Sequence, residues 1–153
     1  MSAIPSDHPL NKGMLGMHGN LAPNVKTNEC DVLIAVGMRF DDRVTGNLAT
    51  YAKQAKVIHL DIDPSEFNKN VKVDVEVLGN CKRTLKELTR LIAENKHTAW
   101  IESFAEYEKV EQERVIDPEI HPTEGPLNMG EVVSAVSEAT HNEAILVTDV
   151  GQN

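Results

Sequence analysis

Asp31-Val-Leu-Ile-Ala-Val-Gly-Met-Arg-Phe-Asp-Asp-Arg-Val-Thr-Gly46 decides the fold. Val32 to Val36 is a short continuous apolar run, the pattern of a strand buried on both faces of a parallel sheet. Gly37 ends the run, and Arg39, Asp41, Asp42 and Arg43 follow at once. Open α/β sheets bind their ligands just beyond the carboxyl ends of their strands. The spacing therefore predicts a ligand-binding strand end, with the rest of the chain supporting it.

Outward from this stretch, Lys56 to Ile62 reads as a second strand ending in Asp61 and Asp63. Asp61 lies 24 positions after Gly37, close to where α/β folds place an acidic residue on a ribose hydroxyl. Asp63-Pro-Ser-Glu66 equally has the form of a helix cap with proline at the first position. A helix over Asn47–Lys53 joins the two strands. Val71 to Val77 alternates valine with polar residues, which predicts a half-exposed edge strand. Gly79-Asn80-Cys81 then opens a helix with Leu85, Leu88, Leu91 and Ile92 as its core-facing stripe. Its start is either an anion site or an ordinary crossover turn.

Upstream, Gly13-Met-Leu-Gly16-Met-His-Gly19 places a glycine at every third position. The same spacing suits a tight turn before a helix or a backbone approached closely by a ligand. Asn20 is expected to cap a helix over Leu21–Glu29. Downstream, Trp100, Phe104 and Tyr107 mark an amphipathic helix over Thr98–Val115. Pro118, Pro122 and Pro126 then mark a linker over 116–126. Asn128-Met-Gly-Glu131 caps a helix with Val132, Val133 and Val136 inward, and Ala144–Val150 reads as a buried strand. Residues 1–12 carry no pattern before the glycine motif, and little follows the last strand. The chain reads as an internal piece of a longer one.

Composition narrows the class. A length of 153 residues suits one domain plus part of a second. A net charge of −9 leaves no basic stripe for nucleic acid or for an anionic membrane surface. No apolar run is long enough to span a membrane, and no signal peptide opens the chain. Cys30 and Cys81 have no zinc or disulfide spacing, so a cytoplasmic protein with reduced thiols is the simplest reading. Arginine suits phosphate and aspartate suits ribose hydroxyls, which favours nucleotide binding over catalysis. An ion-pair knot among Arg39, Asp41, Asp42 and Arg43 is the structural alternative. No catalytic or metal-binding residue stands out.

The Gly13–Gly19 motif, Val36-Gly-Met-Arg-Phe-Asp-Asp-Arg-Val-Thr-Gly46 and His59-Leu-Asp-Ile-Asp-Pro64 together closely resemble the catalytic large subunits of acetolactate synthase, also called acetohydroxyacid synthase. The likeness runs from His8 through Gln152. It implies an α/β, Rossmann-like fold: a partial FAD-binding middle domain over 1–115, the linker 116–126, and the beginning of a C-terminal thiamine-diphosphate-binding domain over 127–153. It implies an FAD site formed by Met14, Leu15, Met17, His18, Gly19, Gly37, Arg39, Asp42, Arg43, Asp61 and Ile62. Asn80 and Cys81 depart from the family's usual Gly-Asp-Ala, where the contact is on the adenine side. Gly151 and Gln152 match the turn onto the thiamine diphosphate's phosphates.

The implied activity condenses two pyruvates, or pyruvate and 2-oxobutyrate, with loss of CO2 in branched-chain amino acid biosynthesis. The implied cofactors are FAD, thiamine diphosphate and Mg²⁺, the last two held mainly by regions outside this chain. The implied partners are a second copy of the parent chain and a regulatory small subunit. The isolated piece is expected to be inactive. A glyoxylate carboligase or pyruvate oxidase type of thiamine enzyme, or a non-catalytic nucleotide-binding module, is the alternative.

Overall fold

The computed structural model describes residues 3–147. They divide into two compact units, split between Ala105 and Glu106. The first contains a three-stranded sheet in the order β1 (Val32–Val36), β2 (Lys56–Asp61), β3 (Val75–Leu78). Both pairings are parallel, with Val36 beside Leu60 and Asp61 beside Leu78. Helices α1 (Leu21–Thr27), the single turn α2 (Asp42–Thr45), α3 (Cys81–Leu91) and α4 (Thr98–Glu102) complete this α/β unit. All three carboxyl ends therefore lie at one edge of the sheet.

The core lies on one face of the sheet: Ala35, Phe40, Tyr51, Ala52, Val57 and Val73, flanked by Leu33, Met38, Ala55 and Val71. β1 is not covered on both faces as its composition predicts. Leu33 and Ala35 face the core, while Val32, Ile34 and Val36 remain substantially exposed. Among the described residues β1 pairs only with β2, so its opposite edge and second face have no partner strand.

Three further expectations change in this unit. Asn47–Lys53 forms consecutive turns and no helix, because Ala52 takes a left-handed φ of 45°. The Ala52 amide donates to Asn28 Oδ1 at 2.8 Å, anchoring that conformation. The third strand begins at Val75 and not at Val71. Before it, the Val73 amide donates to Asn68 Oδ1, and Asp74 brackets Val57 of β2. The Asp74 amide donates to the Val57 carbonyl at 2.9 Å, and its carboxylate accepts from the Val57 amide at 2.9 Å. Finally, α3 buries none of its residues: Leu85, Leu91 and Ile92 are exposed, since no layer among the described residues covers that face.

The expected helix over Thr98–Val115 is interrupted at Ser103 and Phe104. Trp100 and Phe104 pack edge to face at 5.6 Å, and α5 (Ala105–Glu111) follows. The second unit continues through a π-helical turn, Gln112–Ile116, into α6 (Asp117–Ile120). The first part of the proline-rich stretch is thus helical, with Pro118 tolerated in the first turn. Helix α7 (Met129–Ala139) starts with the expected capping box. Asn128 Oδ1 accepts from the Glu131 amide and Glu131 accepts from the Asn128 amide. Val132, Val133 and Val136 are half-exposed and not inward. Residues 144–147 are exposed and form no strand; 148–153, with Gly151 and Gln152, lie outside the described residues.

Candidate nucleotide-binding site

The glycine motif is a closed turn. The Met14 amide donates to Asn20 Oδ1 at 2.9 Å and the Asn20 amide returns to the Met14 carbonyl at 2.8 Å. Asn20 stands at the N-cap position of α1, but its side chain makes no capping bond there. Asn24 brackets Gly16 from inside the helix: its Oδ1 accepts from the Gly16 amide and its Nδ2 donates to the Gly16 carbonyl. Gly16 has a φ of +102°, and an added Cβ would lie 2.5 Å from the Arg43 carbonyl oxygen. A side chain there would clash with backbone, so the turn requires glycine. The Met17 amide donates to that same Arg43 carbonyl at 2.8 Å. The glycine turn and the loop after β1 are consequently one ledge.

The loop itself runs from Gly37 into α2. Asp41 caps α2, its Oδ1 accepting from the Arg43 amide at 3.1 Å, and sits 3.6 Å from Arg39. The structural knot is confined to this pair. Asp42 and Arg43 stay exposed, and Arg43 Nη1 donates to Met17 Sδ at 3.4 Å. Asn70 Nδ2 donates to the Phe40 carbonyl at 3.0 Å and braces the loop from the β2–β3 side. Phe40, inside the charged run, is a core residue, 2% exposed with a left-handed φ of 52°.

Three strand ends form a row. The Gly37 amide donates to the Leu60 carbonyl at 2.8 Å, and the Gly79 amide donates to the Asp61 carbonyl at 2.8 Å. Asp61, beside Leu78 in register, is buried, with Oδ1 accepting from the Asp63 amide at 2.9 Å. Ile62 beyond it is exposed. Asp63 caps the 3₁₀ turn Pro64–Glu66. Hydrogen bonds from Ser65 hold its carboxyl below the ordinary value. Asn80 Oδ1 accepts from the Arg83 amide, and Cys81 Sγ faces the Leu60 carbonyl at 3.7 Å.

The structure thus brings Met17, Gly37, Arg43, Asp61 and Cys81 onto one edge, with His18, Arg39 and Asp42 exposed on the same loops. Leu15 is directed elsewhere: with Pro23, Val32, Ile34 and Trp100 it lines an open apolar groove of about 600 Å³. Sequence reasoning missed His59, which is completely buried two residues before Asp61 on the same face of β2. The i, i+2 period of a strand was the available signal. Among the described residues no cluster of His, Cys, Asp or Glu could hold a metal ion. No helix among them is long and apolar enough to cross a membrane.

Residues 1–88 match the family described as thiamine pyrophosphate enzyme, central domain. The chain is 44% identical to a probable acetolactate synthase large subunit of Methanocaldococcus jannaschii, the match covering 98% of this chain and 26% of that protein. It is 43% identical to the acetolactate synthase large subunit of Parasynechococcus marenigrum, covering 99% and 24%, and 38% identical to that of Haemophilus influenzae, covering 100% and 27%. The chain spans about a quarter of the length of these curated relatives. With its parallel sheet and its row of glycine and aspartate strand ends, this chain belongs to the thiamine pyrophosphate enzyme family, and its residues 1–88 match that family's central domain.

Proposed function

We propose that the chain is the FAD-holding segment of an acetolactate synthase large subunit. The observation that carries this reading is the juxtaposition at the sheet edge. Gly37, Asp61 and Gly79 stand in one row, with the exposed Arg39 and Arg43 beside them. A flavin dinucleotide fits this ledge. Gly37 has a φ of +60°, and an added Cβ would meet only Cys81 Sγ at 4.0 Å, so the backbone at the strand end is open to close approach. The arginines would take the diphosphate, Asp61 a ribose, and Met17, His18 and Gly19 the neighbouring part of the flavin. Met14, Asp42, Ile62, Asn80 and Cys81 would complete the wall, and Leu15 would support it from the groove side.

In the parent enzyme, residues 1–115 belong to the middle domain, 116–126 to a linker and 127–153 to the start of the next domain. Gly151 and Gln152 would serve the phosphates of thiamine diphosphate, while its Mg²⁺ would be held mainly by regions outside this chain. Thiamine diphosphate, when bound, supplies the decarboxylation chemistry that joins two pyruvates, or pyruvate and 2-oxobutyrate. The residues of this chain would bind and orient; among the described residues none is placed to move a proton in the reaction. The relatives are called large subunits, which supports a small regulatory partner beside a second copy of the parent chain. The setting is cytoplasmic.

A chimera tests this. The matching segment of the Methanocaldococcus jannaschii relative is exchanged for this chain, and acetolactate is measured from pyruvate with FAD, thiamine diphosphate and Mg²⁺. The chimera is expected to turn over, and the isolated 153-residue chain is not. A folded chimera without activity, or turnover by the chain alone, contradicts the proposal.

A further inference from the structure

His59 is 0% exposed, and neither of its ring nitrogens has a hydrogen-bond partner among the described residues. Two perpendicular aromatic rings clamp it: Phe40 at 5.1 Å and Phe67 at 5.2 Å between centroids. The clamp leaves Nε2 3.6 Å from Asp61 Oδ2, just beyond hydrogen-bond length. A buried imidazole nitrogen without a partner is costly, and native structures seldom keep one without a use. Asp61 Oδ1 is committed to the Asp63 amide, so Oδ2 is the oxygen left to turn. On β3 the register partner of Asp61 is the apolar Leu78, and the Gly79 amide takes the Asp61 main-chain carbonyl, so neither side chain offers a hydrogen-bond donor to that carboxylate. Bonds that work only in a complex are often long before the ligand arrives.

We infer that His59 is a positioning residue for the adenosine ribose: its Nε2–H fixes Asp61 Oδ2 while the carboxylate accepts from the ribose hydroxyls of FAD. The inference rests on the flavin site proposed above. A carboxylate oxygen has capacity for both donors at once. Phe40 and Phe67 hold the ring where rotation would cost packing on two sides. The arrangement favours a nucleotide that carries the hydroxyl over its deoxy counterpart.

The test titrates ADP, 2′-deoxy-ADP and 3′-deoxy-ADP into the whole chain by calorimetry, with FAD as reference, using wild type, His59→Leu and His59→Gln. Loss of one hydrogen bond to a charged group predicts that His59→Leu weakens ADP about tenfold. The analogue lacking the hydroxyl held by Asp61 should be nearly unaffected. His59→Gln, whose amide can donate toward the same oxygen, should recover most of the ADP affinity. An equal loss for ADP and both deoxy analogues, or none, overturns the inference. Wild type that binds neither FAD nor ADP overturns the flavin site itself, and this inference with it. Should His59→Leu fail to fold, ¹⁵N-labelled histidine in wild type decides. The His59 Nε2 resonance must shift with ADP and less with one deoxy analogue; an unmoved resonance refutes the role.

Discussion

The amide of Met17 donates to the carbonyl of Arg43 at 2.8 Å, across 26 residues of sequence. This one bond joins the glycine turn to the charged loop after β1. It turns two separate motifs into a single backbone ledge beside the strand ends. Gly16 makes the approach possible, since any Cβ there would meet the same carbonyl.

Gly16→Ala should therefore damage both fold and ledge. A left-handed φ costs an L-residue about 1–2 kcal/mol, and the contact with Arg43 adds to it. We expect destabilisation of roughly 2 kcal/mol or more in urea unfolding, with weaker FAD binding. Unchanged stability would mean that the turn and loop are not in contact.

Phe40 combines two opposed terms. Its side chain is in the core, edge to face with Tyr51 at 6.3 Å and with His59, yet its backbone φ is 52°. Losing the ring costs about 3–5 kcal/mol, and relieving a left-handed φ returns about 1–2 kcal/mol. Packing wins. Phe40→Ala should lose most of the domain's stability, and Phe40→Gly should be no worse than Phe40→Ala. If the Gly variant is clearly worse, the left-handed conformation is not strained.

Asp74 gives an acid-side prediction. The Val57 amide, and after it Lys56, hold the Asp74 carboxyl below its ordinary value of 3.8. A depressed folded value favours the charged form in the folded state. Its stabilisation is present above pH 3.8 and is lost as pH falls through the lower folded value. Asp74→Asn should lower the melting temperature at pH 7 and flatten its fall between neutral pH and about pH 3. Adding salt should weaken the Lys56 part and spare the amide bond. A melting curve whose acid slope is the same in both proteins would contradict this.

Arg43 is exposed, and its side chain donates a hydrogen bond to Met17 Sδ. Arg43→Ala should leave stability within about 0.5 kcal/mol and weaken FAD about tenfold or more, as expected where a charge-assisted bond to phosphate is lost. Arg43→Lys keeps the charge without the fork and should fall between. Equal affinity in all three would remove Arg43 from the phosphate site.

The legible parts of this fold are those set by local chemistry. The apolar run Val32–Val36, the apolar Val57–Leu60 before Asp61, and the Asn128/Glu131 box each specify their element within a few residues. Features set by what lies alongside were not legible. The leucine stripe of α3 has the pattern of a core face, but pattern cannot say whether a covering layer is present. Ala52 looked like a helix former until its amide found Asn28. Phe40 was hidden in a charged run, and His59 reads as a polar interruption until the pleat puts it against Asp61. The candidate residues on loops stand out by residue type. Their tethering through Gly16 and Asn20 depends on contacts between residues distant in sequence, which local pattern does not encode.

The most direct measurement of the central claim is an FAD titration of the chain followed by flavin fluorescence. One FAD should bind per chain, with quenching and a vibronically resolved absorbance band as the isoalloxazine leaves water, and ADP should compete. A flavin spectrum unchanged at high chain concentration, with the chain folded by circular dichroism, would contradict the account.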